Sequence, residues 1–228
     1  PRRANPPALA TDRSRSLRLD HITARAGHRA WLARFRPPRL GRRLWIGPGG
    51  QQIDQDDAVA VDLDPGLAFV TGTHPTTALC LAWLDAHDLR GKTVIDFGCG
   101  SGVLAIAALK LGARHAIAVD HDPQAVLATR DNAERNGVAD RIEVLHSGDF
   151  EGHAADLVVA NILANILIEL SAKIAGLLRP GGQLVMSGIL REQSQAVAAA
   201  YADRIDFAPA EMRDDWVLLH GRYIASPR

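Results

Sequence analysis

From residue 75 to residue 221 short apolar runs rich in Val, Ile and Leu alternate with longer helical stretches. That alternation restricts the chain to a doubly wound α/β sheet. The spacing predicts a helix over 75–86 with Pro75 in its first turn. A buried strand follows at Thr93-Val94-Ile95-Asp96-Phe97, then a helix over 103–111 that is apolar almost all round and so covered on most sides. Further strands are expected at 116–120, 142–145 and 156–160, with a helix over 123–136 stopped by Asn136-Gly137. One helix over 163–177 ends at Arg179-Pro180-Gly181-Gly182, and a strand at 184–187, a helix over 193–202 and strands at 205–208 and 216–221 complete the pattern. Right-handed crossovers between such strands build a mostly parallel, seven-stranded sheet.

Before this regular part the character differs. The first forty residues hold ten arginines and two acids, Asp12 and Asp20, with no sustained period. This start reads as a piece of something longer, as an Arg- and Ser-rich targeting peptide, or as a basic arm. Trp31, Leu32 and Phe35 precede Pro37-Pro38. Leu44-Trp45-Ile46 reads as a short strand stopped by Gly47-Pro48-Gly49-Gly50, residues 58–63 alternate as another, and Asp64-Pro65-Gly66 signals a turn. The expected organisation is a poorly ordered basic segment over 1–28, a linker with short strands over 29–64, and a catalytic domain over 65–228.

Charge and cysteine content exclude several classes. Lys plus Arg and Asp plus Glu both number 26, so the chain has no net electrostatic bias toward nucleic acid or an anionic membrane. No run approaches the ~18–20 apolar residues of a membrane-spanning helix. Cys80 and Cys99 have no metal-ligand spacing and suit a reduced cytoplasmic compartment. No metal, no membrane and no direct nucleic-acid partner are expected.

The chemistry concentrates at Asp96-Phe97-Gly98-Cys99-Gly100-Ser101-Gly102, which follows a strand and opens a helix. Glycines let the backbone turn sharply and approach a ligand closely. Ligands of such sheets bind beyond the carboxyl ends of the strands, and Asp120, ending the next strand, is placed to accept both hydroxyls of a ribose. Dinucleotide sites use G-x-G-x-x-G and set a pyrophosphate on a helix N-terminus. Here the pattern is G-x-G-x-G, and Asp96 stands two residues before its first glycine. A carboxylate there repels a pyrophosphate and suits a ligand with an ammonium and a sulfonium, which describes S-adenosylmethionine (AdoMet). Asp149, after the third strand, reads either as an acceptor for the adenine amine or as an exposed turn acid. Cys99 reads as a small buried side chain.

Five segments together resemble the bacterial ribosomal protein L-eleven methyltransferase family: 63–69, 71–77, 96–102, Ala160-Asn161-Ile162-Leu163, and Ser187-Gly188-Ile189-Leu190. The resemblance runs from about Arg29 to Tyr223. It implies the class I AdoMet-dependent methyltransferase fold. It also implies transfer of methyl groups from AdoMet to the α-amine and lysine ε-amines of a large-subunit ribosomal protein. Carried over by motif, the cofactor contacts are Thr77, Gly98, Asp120 and Asn161, while spacing alone supports Gly98, Gly100 and Asp120. Phe69 falls in the loop that the family folds over the cofactor, and Val70 replaces a glycine usual there. The family also carries a separate substrate-gripping N-terminal domain, of which only the linker is expected here.

Methylation of nitrogen needs a neutral amine with its lone pair aimed along the S–CH₃ bond. An α-amine, with a pKa near ~8, is partly neutral at physiological pH, and a lysine, near ~10.4, is not. Asn161 is the expected catalytic residue: its amide oxygen accepts an amine hydrogen and orients the lone pair. A second reading makes Asn161 the N-cap of the next helix. His74 reads as structural, within a Gly-Thr-His-Pro turn. Two other functions fit the same residues: an AdoMet enzyme acting on another protein lysine or on RNA, and a catalytically weak AdoMet-binding remnant.

Overall fold

The computed structural model describes residues 38–47, 53–63 and 74–224. These fall in one compact unit, Pro37–Arg228. Phe69, Val70, the Asp64-Pro65-Gly66 turn and the basic start lie outside the described residues.

Two strands, β1 (Leu44–Gly47) and β2 (Val59–Asp62), pair in parallel as a ribbon of their own. The main sheet is built from β3 (Thr93–Phe97), β4 (His115–Asp120), β5 (Ile142–His146), β6 (Ala155–Asn161), β7 (Leu178–Leu190), β8 (Ile205–Phe207), β9 (Glu211–Arg213) and β10 (Trp216–Tyr223). Its order is β5-β4-β3-β6-β7-β10-β8, with β9 on the other part of β10. Strands β3 to β7 run parallel, and β10 is antiparallel to β7 and β8. The seven strands of the main path are those expected, in a mostly parallel sheet. Strand β9 is an addition: its three residues are all exposed, so it is held by main-chain pairing and leaves no apolar alternation to read.

Helices α1 (Pro75–Ala86), α2 (Val103–Lys110) and α3 (Pro123–Arg135) cover one face of the sheet. Helices α4 (Ala164–Glu169), α5 (Ser171–Gly176) and α6 (Ser194–Tyr201) cover the other. Helix α2 touches α1, α3, β2, β3 and β4, which is why its sequence is apolar all round. The single helix expected over 163–177 is two short ones. Leu170 leaves helical geometry at φ −94°, ψ 13°, yet its N–H still bonds Ile166 O and its carbonyl accepts from Ile174, so the segment bends without ending. The Arg179-Pro180-Gly181-Gly182 turn is absorbed into β7 as a bulge: pairing jumps from Ala155↔Leu178 to Leu157↔Gln183.

The β1–β2 ribbon is bonded to the helices. Leu44, Ile46 and Val61 are buried in the core shared with α1 and α2. Asp85, in the last turn of α1, accepts from the backbone N–H of Arg42, from that of Arg43 at 2.7 Å and from Arg43 Nε at 3.2 Å. At the other end of the ribbon the Asn136 amide pairs with the main chain of Asp62. It accepts from the Asp62 N–H at 2.8 Å and donates to its carbonyl at 2.6 Å, as a strand neighbour does.

Candidate active site

The carboxyl ends of β3, β4, β6 and β7 converge on the glycine-rich turn. Gly98 and Gly100 have φ of 79° and 55°, values that side chains rarely adopt. A Cβ on Gly98 would overlap Ile162 Cγ2, whereas one on Gly100 meets nothing within 4 Å among the described residues. The first glycine is therefore required by packing against β6's exit, and the second leaves open space above the turn. Asp120 closes the turn from the neighbouring strand. Its Oδ2 accepts from the Gly100 N–H at 2.8 Å and its Oδ1 from the Asp122 N–H at 3.0 Å. The His121 ring is 3.3 Å away. Each carboxylate oxygen can accept a second hydrogen bond, so Asp120 can still take ribose hydroxyls.

Asp96 is wholly buried. Its Oδ2 accepts from the Ala105 N–H at 3.0 Å, inside the first turn of α2. Its Oδ1 has no partner among the described residues. Burial raises the carboxyl to about 7; the Ala105 N–H pulls the other way and the Asp120 charge adds a smaller push. Cys99 is buried, near Thr129 Oγ1 at 3.4 Å, and burial pushes its thiol well up, as it does that of Cys80. Both cysteines are held as neutral apolar groups.

At the end of β6 Asn161 Nδ2 donates to Thr77 Oγ1 at 3.1 Å. This fixes the amide, and its oxygen has no hydrogen-bond partner among the described residues. The N-cap reading of Asn161 is corrected: α4 starts at Ala164, and its cap is Leu163, held extended at ψ 141° with no side-chain cap bond. The next residue, Ile162, is wedged. Besides Gly98 on one side, Gly188 of β7 lies so close on the other that a Cβ there would overlap the Ile162 carbonyl. His74 caps α1: its Nδ1 lies 2.8 Å from Thr76 Oγ1 and accepts from the Thr76 N–H at 3.4 Å. Its ring meets Trp216 edge to face at 5.1 Å.

A cavity of about 480 Å³ opens beside the turn, within the usual range for a small-molecule site. Gly98, Asp120, His121 and Ser147 line it together with an apolar set, Phe97, Val119, Ile162, Leu163, Ile166 and Leu170. Lys173 closes one end, its Nζ 5.9 Å from the Phe97 ring centre. Asp149 is exposed and outside the lining. Sequence reasoning missed this wall. The signal was the connection from β5 to β6: residues 147–154 carry no helix, so the sheet face that a crossover helix would cover stays open. Among the described residues no cluster of His, Cys, Asp and Glu could hold a metal, and no helix is long and apolar enough to cross a membrane.

Gly98, Gly100 and Asp120 thus meet at the glycine turn, and Thr77 meets Asn161 at the end of β6. The chain is 56% identical over 206 residues to a ribosomal protein L11 methyltransferase of Vibrio cholerae, covering 90% of this chain and 70% of that one. It is 51% identical over 218 residues to that of Photobacterium profundum, covering 95% and 74%. A crystal structure of ribosomal protein L11 methylase from Lactobacillus delbrueckii subsp. bulgaricus superposes with a TM-score of 0.73 at 32% identity, over 84% of this chain and 99% of that one. An RNA methyltransferase of Salinibacter ruber, solved with S-adenosyl-L-homocysteine, shares the fold at 18% identity and a TM-score of 0.54, over 66% of this chain and 93% of that one. The family model described as ribosomal protein L11 methyltransferase (PrmA) matches residues 8–223. The similarity therefore begins well before Arg29, where the motifs had placed its start. This chain belongs to the ribosomal protein L11 methyltransferase family, and it is an AdoMet-dependent methyltransferase.

Proposed function

We propose that the chain transfers methyl groups from AdoMet to the α-amine and lysine ε-amines of ribosomal protein L11, in the cytoplasm, through a site made of Thr77, Gly98, Gly100, Asp120 and Asn161. The observation that carries this is the Asn161–Thr77 hydrogen bond, which fixes an amide at the end of β6, one residue before Ile162 of the cavity wall. The residues fit AdoMet. Open space over Gly100 admits a ligand, Asp120 retains acceptor capacity for a ribose, and Asp96 holds an unpartnered carboxylate oxygen behind the turn. The apolar wall suits the rest of a nucleoside.

AdoMet supplies the methyl group on a sulfonium that keeps the electron pair of the broken C–S bond. The protein's contribution is positional. Asn161 Oδ1 accepts an N–H of the incoming amine, which fixes its direction and turns the lone pair to the methyl carbon. Thr77 holds Asn161, and Gly98 and Gly188 hold Ile162 behind it, so the amide has little freedom. Nitrogen becomes positive as the N–C bond forms, and an amide oxygen stabilises that charge. The apolar wall excludes water, which disfavours the ammonium form before attack.

Mass spectrometry of purified ribosomal protein L11 after incubation with the chain and AdoMet tests this reading. Mass gains in steps of one methyl, placed on amines by fragmentation, support it. An unchanged substrate, with AdoMet binding shown by calorimetry on the same sample, refutes it.

A further inference from the structure

We propose that His74 and Trp216 form the entrance wall for the acceptor amine. Their rings pack its alkyl arm and hold its ammonium, and Asp214 and Asp215 stand at the outer rim. The proposal rests on the protein-amine reading above and adds the residues that recognise the acceptor.

The geometry follows from α1. Its first turn makes two contacts about one helical turn, roughly 5 Å of axis, apart. Thr77 binds the Asn161 amide, and the His74 ring meets Trp216 at 5.1 Å with planes at 66°. The sheet gives the same placement. Strand β10 is antiparallel, so Trp216 at its start lies at the end of the sheet where β6 finishes with Asn161. The pairs Asn161↔Ser187 and Trp216↔Leu190 set the two residues on either side of β7. His74 is exposed and Trp216 half-buried, so ring surface reaches solvent at the end of the sheet where β6 finishes.

Both rings are held in place. The Thr76 hydroxyl and N–H fix the His74 imidazole, and Trp216 packs against the core under α1 and α2. The turn before Trp216 brings Asp214 and Asp215, both exposed, to the same edge, with Asp214 at φ 55°. Arg191, just past the end of β7, binds the main-chain oxygens of both residues and ties this turn to that strand.

Aromatic faces with nearby carboxylates form the chemistry that recognises an alkylammonium: the ring quadrupole attracts the cation and the ring surface covers the alkyl stem. None of these four residues lines the cavity beside the glycine turn. They also explain how a charged lysine is collected at the rim before it reaches the drier pocket, where its neutral form reacts.

The experiment is steady-state kinetics of the whole chain on purified ribosomal protein L11, with AdoMet affinity measured in parallel by calorimetry. The variants are Trp216→Leu, which keeps apolar bulk and loses the ring, Trp216→Phe, which keeps a ring, and His74→Asn, which keeps an N-cap. Trp216→Leu is expected to raise KM for the protein about five- to tenfold, the range for one partly desolvated cation–π contact. Its kcat stays within about twofold and its AdoMet affinity is unchanged. Trp216→Phe recovers most of the loss, and His74→Asn raises KM several-fold. An unchanged KM in Trp216→Leu overturns the wall. Equal losses of KM, kcat and AdoMet affinity in the Leu and Phe variants also overturn it, because they show a packing role alone. Wild-type chain that methylates RNA and leaves L11 untouched overturns the protein-amine reading itself.

Discussion

Ile162 sits between two glycines, and the two contacts differ in kind. At Gly98 the group that a Cβ would strike is a side-chain methyl, Cγ2 of Ile162; at Gly188 it is backbone, the Ile162 carbonyl oxygen and, at 2.8 Å, its carbon. Alanine at either site carries the cost of a left-handed residue, ~1–2 kcal/mol, since φ is 79° and 84°. The overlap adds a cost that depends on what can move. Overpacking of side chains typically costs ~1–3 kcal/mol, so Gly98→Ala should destabilise by roughly 2–5 kcal/mol. The substitution Ile162→Ala removes the offending methyl. In that background Gly98→Ala should cost only its backbone part, a coupling of ~1–3 kcal/mol. Gly188→Ala should show no such relief, because no side-chain change at position 162 moves its carbonyl. Urea denaturation of the wild type, the three single variants and the two doubles measures both cycles. If Gly98→Ala costs the same with and without Ile162→Ala, or if Gly188→Ala is relieved equally, the wedge does not act as argued.

Three further outcomes follow from the same site. Asp120→Ala is expected to weaken AdoMet binding by ~1.5–3 kcal/mol, the value of hydrogen bonds to a charged group, and calorimetry returning wild-type affinity on a folded variant would remove it from the site. Asn161→Ala should lower kcat about 10- to 100-fold, and Thr77→Val, which frees the amide without removing it, should lower it less; equal kcat in all three chains contradicts the orienting role. For Asp96 the folded carboxyl lies near 7, above its ordinary 3.8. The folded state therefore binds its proton more tightly than the unfolded one, and stability falls as pH rises from about 4 through about 7. Asp96→Asn should gain stability relative to wild type at pH 8 and little at pH 4, and a pH-independent difference in urea melts would show that the burial argument fails.

The sequence displayed what depends on periodicity and on glycine chemistry. Strand β3, the turn after it and the position of Asp120 at the end of β4 are legible, because a buried parallel strand must be apolar and a tight turn must be glycine. Helix α1 was read to its ends from Pro75 and the following apolar stretch. What escaped were features set by a second segment distant in the chain. Asn161 looks like a cap from its neighbours alone; its partner Thr77 is 84 positions away and only the folded α1 brings them together. The bend at Leu170 leaves no local breaker, since its hydrogen bonds continue on both sides. Gly98 is legible as a turn residue, but that it and Gly188 enclose Ile162 is a fact of β6 lying between β3 and β7.

The helix-free passage from β5 to β6 bears on inhibitor selectivity. A cofactor mimic that binds only the glycine turn and Asp120 uses features common to enzymes of this fold, and would strike many of them. The space between Phe97 and Leu170 exists here because residues 147–154 form no covering helix. An apolar arm grown from such a mimic into that space, ending in a carboxylate to meet Lys173, would gain surface that a covered sheet denies it.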